Sequence, residues 1–377
     1  MALSGVAVGC GSDDGSTDET SDVAANTGQG APGTQTLDDL YKGTYEEPTG
    51  DAPDHEPGKN IWVIAAGSST ETAQNASDAM ETAGEDLGWD VTVYDGKFDP
   101  NRQLTGIQQA LSDQADGIVA LYIDCPVIKN GLQQAEDANV PVVGIEAIDC
   151  GQLDETQDNL FDFVVNYAGG QSFTDWIQSW GGAQAAWVVG QTDGEAKVIL
   201  TVETDLENTK LAGKGSEAEI AACDGCEIVD RVDFVGAEFG PPLQEKIEQS
   251  MIAHPEANAF IAAYDAVLTS GGANALKASG RLDDLAIMGG EGSAPGIDLI
   301  RENGGMDACI GVPTAWEGYA AFDALIRIFA DEDPSKTSSG LGLQACDADH
   351  NLPAEEGVAF EAPIDFVAAY EESWGVG

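Results

Sequence analysis

The stretch Asn60-Ile61-Trp62-Val63-Ile64-Ala65-Ala66, followed by the turn Gly67-Ser68-Ser69, decides the fold. An unbroken apolar run, with no polar alternation, is the pattern of a strand covered on both faces. A helical segment follows from Thr70 to about Leu87, where Gly88 supplies the stop. Trp89–Tyr94 then alternates as a second strand and leaves through Asp95-Gly96-Lys97-Phe98-Asp99-Pro100.

The same rhythm runs outward from there. Helix Asn101–Gln114, strand Gly117–Ile123, helix Val127–Asn139 and strand Pro141–Ile145 complete a first set. After a longer connection, Phe163–Asn166 is extended and Phe173–Trp187 helical. The strands Lys197–Val202, Cys226–Phe234, Ala259–Ala263, Leu285–Gly289 and Ala308–Val312 then alternate with helices Leu211–Ala222, Pro242–His254, Ala266–Ser279, Ala294–Asn303 and Ala315–Ala330. Short apolar strands between amphipathic helices predict an α/β fold of parallel sheets with helices on both faces. A chain of 377 residues is long enough for two such doubly wound, three-layer lobes.

Charge sets the surroundings. Lys and Arg number 15 against 67 Asp and Glu, a net charge of −52, so nucleic acid and anionic lipid surfaces are repelled. Such self-repulsion is tolerated best where counter-ions screen it, which points to a high-salt habitat or to general acidity of a secreted surface. Seven cysteines suggest an oxidising compartment. Cys10 stands apart, and the other six allow 15 connectivities. The pairs Cys125–Cys150, Cys223–Cys226 and Cys309–Cys346 are favoured because each falls within one neighbourhood of the fold.

Ala7-Val8-Gly9-Cys10 resembles a lipobox, so residues 1–10 are expected to be a truncated signal peptide ending at a lipidated Cys10. Residues 11–59 are rich in Gly, Ser, Thr, Asp and Pro without hydrophobic periodicity, and a flexible acidic tether is expected, with only Leu40–Tyr45 docking transiently. No run of about 18 apolar residues occurs, so any membrane attachment is expected through the lipid alone.

In open α/β sheets the ligand lies outside the carboxyl ends of the strands. Polar residues recur at those ends: Ser68 and Ser69, Asp95 and Lys97, Asp124, Glu146, then Glu203 with Asp205 and Asn208, Tyr264-Asp265, and Glu291. Their joint placement on one edge suggests a cleft.

Five segments carry a family resemblance: Ala83-Gly84-Glu85-Asp86-Leu87-Gly88-Trp89-Asp90-Val91, Ile107-Gln108-Gln109-Ala110 leading into Ala115-Asp116-Gly117-Ile118, Ala135-Glu136-Asp137-Ala138-Asn139-Val140-Pro141-Val142-Val143, Ala263-Tyr264-Asp265-Ala266 and Gly289-Gly290-Glu291-Gly292. In this order the chain from Asn60 to Trp374 resembles the type I periplasmic binding proteins, the ribose/galactose-type sugar binders of ABC transporters. The resemblance implies two lobes joined by a three-segment hinge that closes on ligand, with crossings near Glu146–Cys150, near Gly290–Ser293 and within Pro334–Leu352. It places residues 60–148 and 291–340 in an N-terminal lobe, and 149–290 and 341–377 in a C-terminal lobe. It further implies an extracytoplasmic monomer that delivers a small polar, sugar-like ligand to an ABC transporter permease.

Several positions depart from the resembled pattern. Thr72-Ala73 stand where paired aromatics occur, Glu146-Ala147 where an Asp-Arg pair grips hydroxyls, Tyr264 in place of Asn, and Val312 at a late amide position. Lys210 stands for an Arg and lacks its bidentate fork. Glu146, Asp265, Glu291, Tyr264 and Lys210 still offer paired acceptors and donors, with Trp316 as an apolar stacking face. A sensory or scavenging receptor for a non-sugar molecule on the same scaffold is the alternative function.

Enzymatic chemistry is not expected. His55, His254 and His350 are scattered, and the glycine turns lack phosphate-loop spacing. Cys223-Asp224-Gly225-Cys226 precedes a strand and has no further ligands for zinc, so a surface disulfide is expected there. No calcium loop appears, and neither metal nor cofactor is called for.

Overall fold

The computed structural model describes residues 31–377, so the lipidation expected at Cys10 lies outside the described residues. The first sheet holds β1 (Asn60–Ala65), β2 (Asp90–Asp95), β3 (Gly117–Leu121), β4 (Val142–Ile145) and β5 (Phe163–Val164). They are all parallel, in the order β2-β1-β3-β4-β5. The second holds β6 (Lys197–Glu203), β7 (Glu227–Phe234), β8 (Ala259–Ile261), β9 (Ala286–Met288), β10 (Ala308–Gly311) and β11 (Gln344–Asp347), in the order β11-β10-β9-β8-β6-β7. Only β11, at the edge, runs antiparallel. The two sheets therefore share one winding, and in each the strand order reverses once, between β1 and β3 and between β6 and β8. Ligand crevices form at such switch points.

Local chemistry explains the elements. In β1 every residue from Ile61 to Ala65 is buried, as its apolar run requires. The helix Glu71–Leu87 begins where the Thr70 hydroxyl accepts from Ala73 N–H and ends at Gly88, whose φ of 67° suits glycine. The helices Phe173–Gln191 and Glu207–Ala222 touch at glycines, and a Cβ on Gly181 would lie 1.9 Å from the Ala212 carbonyl oxygen. One continuous apolar cluster holds residues of both lobes, Val63 and Phe322 of the first and Trp176, Trp180 and Trp187 of the second among them, and Tyr167 in the crossing stacks on Trp176 at 4.1 Å.

The chain passes between lobes at places other than those expected. β5 pairs with β4, so residues 149–164 stay with the first sheet, and the first crossing runs through residues 165–172 instead of Glu146–Cys150. β10 pairs with β9 and β11, which puts residues 291–311 with the second sheet and moves the second crossing from Gly290–Ser293 to the link before helix Thr314–Phe329. The third passage, from that helix to β11, falls partly within the expected Pro334–Leu352 window. Helix Phe366–Trp374 then returns to pack on Tyr319 of Thr314–Phe329, in the first lobe. Alternation reveals strands but not which of two like-wound sheets each one joins. The helix expected over Ala266–Ser279 is broken at Gly271, whose φ is 134°.

The tether reading is also corrected for residues 31–59, which form a strap across both lobes. Helix Leu37–Lys42 is closed by a capping box between Thr36 and Asp39, and Leu40 is buried. Gln344 Nε2 donates to the Tyr41 carbonyl and Tyr41 Oη to Asp347, which seats this helix on β11. Thr44, Glu46 and Thr49 N–H groups then donate to Leu343, Gly340 and Ser338 carbonyls. Farther along, Arg327 donates to Gly50 and Asp51 carbonyls, Ala52 N–H to Ser373 Oγ, and Trp89 Nε1 to the Glu56 carbonyl. A low-hydrophobicity segment stays ordered here because its backbone finds partners on both lobes.

Cys125–Cys150, Cys223–Cys226 and Cys309–Cys346 form the three expected disulfides. Cys309 and Cys346 face each other directly in the β10–β11 register. Loop-closure entropy gives the bridges spanning 25 and 37 residues about 3.5–4 kcal/mol each, and the three-residue bridge under about 2 kcal/mol. Full reduction is therefore expected to lower the Tm clearly, whereas the double substitution Cys223→Ser, Cys226→Ser lowers it least. Calorimetry with and without a phosphine reductant, checked by thiol titration, measures this; an unchanged Tm after complete reduction refutes it.

Candidate functional site

The carboxyl edges of the two sheets meet between the lobes. From the first lobe, Tyr122 follows β3 and Glu146 follows β4, both in left-handed conformations (φ 62° and 43°). Non-glycine residues held there are strained, and such strain collects at functional sites. Glu317, fully buried on helix Thr314–Phe329, accepts from Tyr122 Oη at 3.2 Å and from Tyr167 Oη at 3.0 Å. The Glu146 carboxyl lies against the same group. Burial pushes both acids above the usual carboxylate range, and for Glu146 the adjacent Glu317 adds to it. Two touching buried carboxyls do not ionise independently, so the pair holds a proton near neutrality.

The second lobe presents a matching set. Glu203 ends β6 and accepts from Tyr264 Oη. Asp265, buried, accepts from Gly290 N–H at 2.6 Å, Ser293 N–H at 2.6 Å and Ser293 Oγ at 2.7 Å. Its own N–H donates to Glu291 Oε2 at 3.1 Å. Burial, then the Asp265 charge and more weakly Glu146 across the cleft, push Glu291 up to about 8. Beside this centre Asp124 accepts from Ile148 N–H at 2.8 Å and feels Glu207 and Lys210 of the opposite lobe; burial raises it to about 6. Glu71 links the lobes directly, its carboxylate accepting from Ala294 N–H at 3.3 Å at the start of helix Ala294–Arg301. A carboxylate is favoured at a helix N-terminus.

Glu146, Glu203, Tyr264, Asp265 and Glu291 thus come together. The carboxylate of Asp265 is engaged within its own lobe, holding the exits of β8 and β9 together. Lys210 ion-pairs with Glu207 on its own helix, and Asn208 Oδ1 accepts from Thr209 N–H. Ser68, Ser69 and Lys97 sit on the rim of the first lobe. Asp95 accepts from Ser68 and Lys97 N–H groups there, and Ser68 Oγ is buried without a hydrogen-bond partner. Trp316 is corrected: it lies behind the hinge, fully buried, donating to the Ser339 carbonyl at 2.9 Å and stacking on Phe366 at 5.0 Å. An indole in the first helical turn turned towards the strap and the C-terminal helix is packing, not a ligand face.

Glu317, Tyr122, Tyr167 and Glu71 were not foreseen. Glu317 did carry a signal, since it shares a helical stripe with the buried Ala320, Ala321 and Ala324. A carboxyl on an apolar stripe needs a polar partner.

The profile described as "Periplasmic binding protein domain" matches residues 61–333, from β1 to beyond helix Thr314–Phe329. The chain belongs to this family. Its members are solute-binding proteins, not enzymes. No curated protein sequence matches the chain. Among solved structures, an ABC transporter solute-binding protein of Bacillus halodurans C-125 with bound myo-inositol is similar, with a TM-score of 0.61, 19% identity, 76% of this chain and 92% of that one covered. One from Actinobacillus succinogenes 130z with bound D-allose has a TM-score of 0.62 at 15% identity, covering 73% and 92%. The fructose-binding periplasmic domain of a hybrid two-component system has a TM-score of 0.63 at 14% identity, covering 77% and 91%. These likenesses show the two-lobed α/β fold. Among the described residues no helix is long and apolar enough to cross a membrane.

Burial, above all, holds Glu203 at about 7 against an ordinary 4.5. The folded state therefore binds an extra proton between those values. That stabilisation is complete below about pH 4.5 and is lost as pH rises through 7. Glu203→Gln is expected to flatten the pH dependence of unfolding free energy in this window by up to about 1.4 kcal/mol per pH unit. Urea unfolding of parent and variant from pH 4.5 to 8 measures it; equal slopes would mean Glu203 keeps an ordinary pKa.

Proposed function

We infer that the protein captures a small polar solute of the sugar or polyol class between its lobes and hands it to the permease of an ABC importer. The observation carrying this reading is the meeting of two like-wound sheets at their carboxyl edges, where Glu146 of one lobe lies towards Glu291 of the other and Asp124 towards Glu207 and Lys210. Family membership supports capture, and relatives in structure carry myo-inositol and D-allose. Closure by hinge bending of a monomer fits a chain that crosses between lobes several times. Ala7-Val8-Gly9-Cys10 supports a lipid anchor at Cys10 on the outer face of the cell membrane, and mass spectrometry of the native protein tests it. The charge of −52 supports work in concentrated salt.

A thermal-shift screen in molar salt against sugars, polyols, nucleosides and amino acids tests the reading, because a ligand that binds only the native state raises the midpoint by mass action. A shift with one sugar or polyol class supports it; a hit only among nucleosides or amino acids keeps solute capture and removes the sugar. A sensory role is the second reading, favoured by the likeness to a domain of a two-component system. A permease gene beside this one would speak for import, a histidine-kinase gene for sensing.

A further inference from the structure

We propose that residues 33–58 act as a fourth hinge element, holding the two lobes near a closed arrangement and limiting how far they open. This goes beyond solute capture and stands whatever the solute is. The strap is fixed to both lobes. On the second, Gly33 N–H donates to Glu219 Oε2 at 2.8 Å, and Tyr41 Oη donates to Asp347 at 2.5 Å and accepts from Trp187 Nε1 at 3.0 Å. The Tyr41 ring also stacks on His350 at 3.8 Å. On the first lobe, Ala52 N–H donates to Ser373 Oγ at 3.0 Å, and Gly58 N–H to the Gly88 carbonyl at 2.7 Å, just before β1.

Between these anchors the strap is bonded along the third interlobe passage. Thr44 and Glu46 N–H groups donate to the Leu343 and Gly340 carbonyls at 2.9 and 3.0 Å. Leu343 and Ser338 N–H groups donate in return to the Thr44 and Thr49 hydroxyls at 2.9 and 2.8 Å. A Cβ on Gly340 would lie 2.1 Å from the Glu46 carbonyl oxygen, so the two segments touch backbone to backbone. The third passage is bonded to the first as well, Ser339 N–H to Asn166 Oδ1 at 3.0 Å and Ala168 N–H to the Leu341 carbonyl at 2.8 Å. Tyr45 Oη reaches the start of the second, donating to the Gly311 carbonyl at 2.8 Å. Hinge bending is absorbed by φ/ψ changes in the few residues of such passages. With the strap bonded along them and anchored at both ends, a large rotation must break its hydrogen bonds too. Those bonds exist in an arrangement where the lobes touch across the cleft, Ala294 N–H donating to Glu71. They therefore shift the population towards closure.

The double variant Leu40→Ala, Tyr41→Ala tests this, since it unseats helix Leu37–Lys42 from the second lobe and leaves the cleft residues in place. Small-angle X-ray scattering of the full chain without solute is expected to give a larger radius of gyration for the variant than for the parent. Amide exchange, read by mass spectrometry, should quicken about tenfold or more at Ala294, whose acceptor Glu71 belongs to the other lobe. Ile247→Val, in the core of the second lobe, is the control for lost stability and should move neither reading. A folded double variant that keeps the parental value in either reading overturns the proposal, and so does an equal change in the control. If the double variant fails to fold, the parent chain decides. Glu46 and Thr49 amides protected within about tenfold of Ala294 then support the restraint, and weaker protection overturns it. No outcome bears on solute capture, because no solute is added.

Discussion

Arg327→Met is expected to lower the unfolding free energy by about 3–5 kcal/mol, the range for stripping one partner from a buried ion pair. Arg327 is 3% exposed and Asp323 8%, with Arg327 Nε 2.7 Å from Asp323 Oδ2. Burial pushes the Asp323 carboxyl up and Arg327 pulls it back, so the variant leaves an acid without its counter-charge in an apolar helix interface. The same guanidinium donates to the carbonyls of Gly50 at 2.9 Å and Asp51 at 3.3 Å, pinning the strap to the first lobe. Its loss should therefore expose residues 43–59 to proteolysis before the core unfolds. The double variant Arg327→Met, Asp323→Leu should recover much of the stability but not the strap protection. Recovery stays incomplete because Trp374 Nε1 loses Asp323, its acceptor at 3.1 Å. Equilibrium urea unfolding and limited trypsin-free proteolysis measure both effects. A cost under about 1 kcal/mol would place this pair with exposed ion pairs, which contribute little.

The strap shows where sequence reasoning ends. Strands such as Ile61–Ala65 and Val142–Ile145 are readable because unbroken apolar runs have few other places to go. Residues 31–59 lack any such run, and composition argues for a loose tether. Order there comes from Leu40, Tyr41 and Tyr45, which are anchored by partners about 300 residues away: Asp347 for Tyr41, and Gly311 with the Trp316 ring for Tyr45. No local pattern encodes a partner so distant. The same limit hid the lobe of β10, whose partner β11 is reached only after a helix and two crossings of the hinge.

The strand-end rule placed Glu146, Glu203, Tyr264, Asp265 and Glu291 at the carboxyl edges of the sheets because chain direction sets that edge. It failed for Glu317 and Tyr167, which lie on a helix and a hinge passage and not at a strand end. It also says nothing of how a carboxyl is engaged once it arrives there. Asp265 reads as a ligand acceptor, yet its three hydrogen bonds are all made within its own lobe.

Asp265→Ala is accordingly expected to act on the fold as well as on binding. The side chain is 1% exposed and accepts from two backbone N–H groups and one hydroxyl. Removing it leaves those donors buried and unpaired, and at about 1–3 kcal/mol for each of the three unsatisfied groups the loss would total about 3–9 kcal/mol. Water entering the space left by the carboxylate keeps the cost towards the lower end of that range. The loop from Gly290 to Ser293 then loses its tie to the exit of β8, and with it the placement of Glu291, whose carboxylate accepts from the Asp265 N–H. Ligand affinity should fall at least tenfold even at temperatures where the variant is fully folded. Asp265→Asn separates acceptor geometry from volume. Its amide NH2 would face an N–H donor wherever it points, since both carboxylate oxygens accept from backbone N–H groups. The asparagine variant should therefore be nearly as unstable as the alanine one, despite matching the native shape. Urea unfolding and calorimetric titration of both variants measure this, and near-native stability for Asp265→Asn would show that shape, not the double acceptor, holds the two strand exits together.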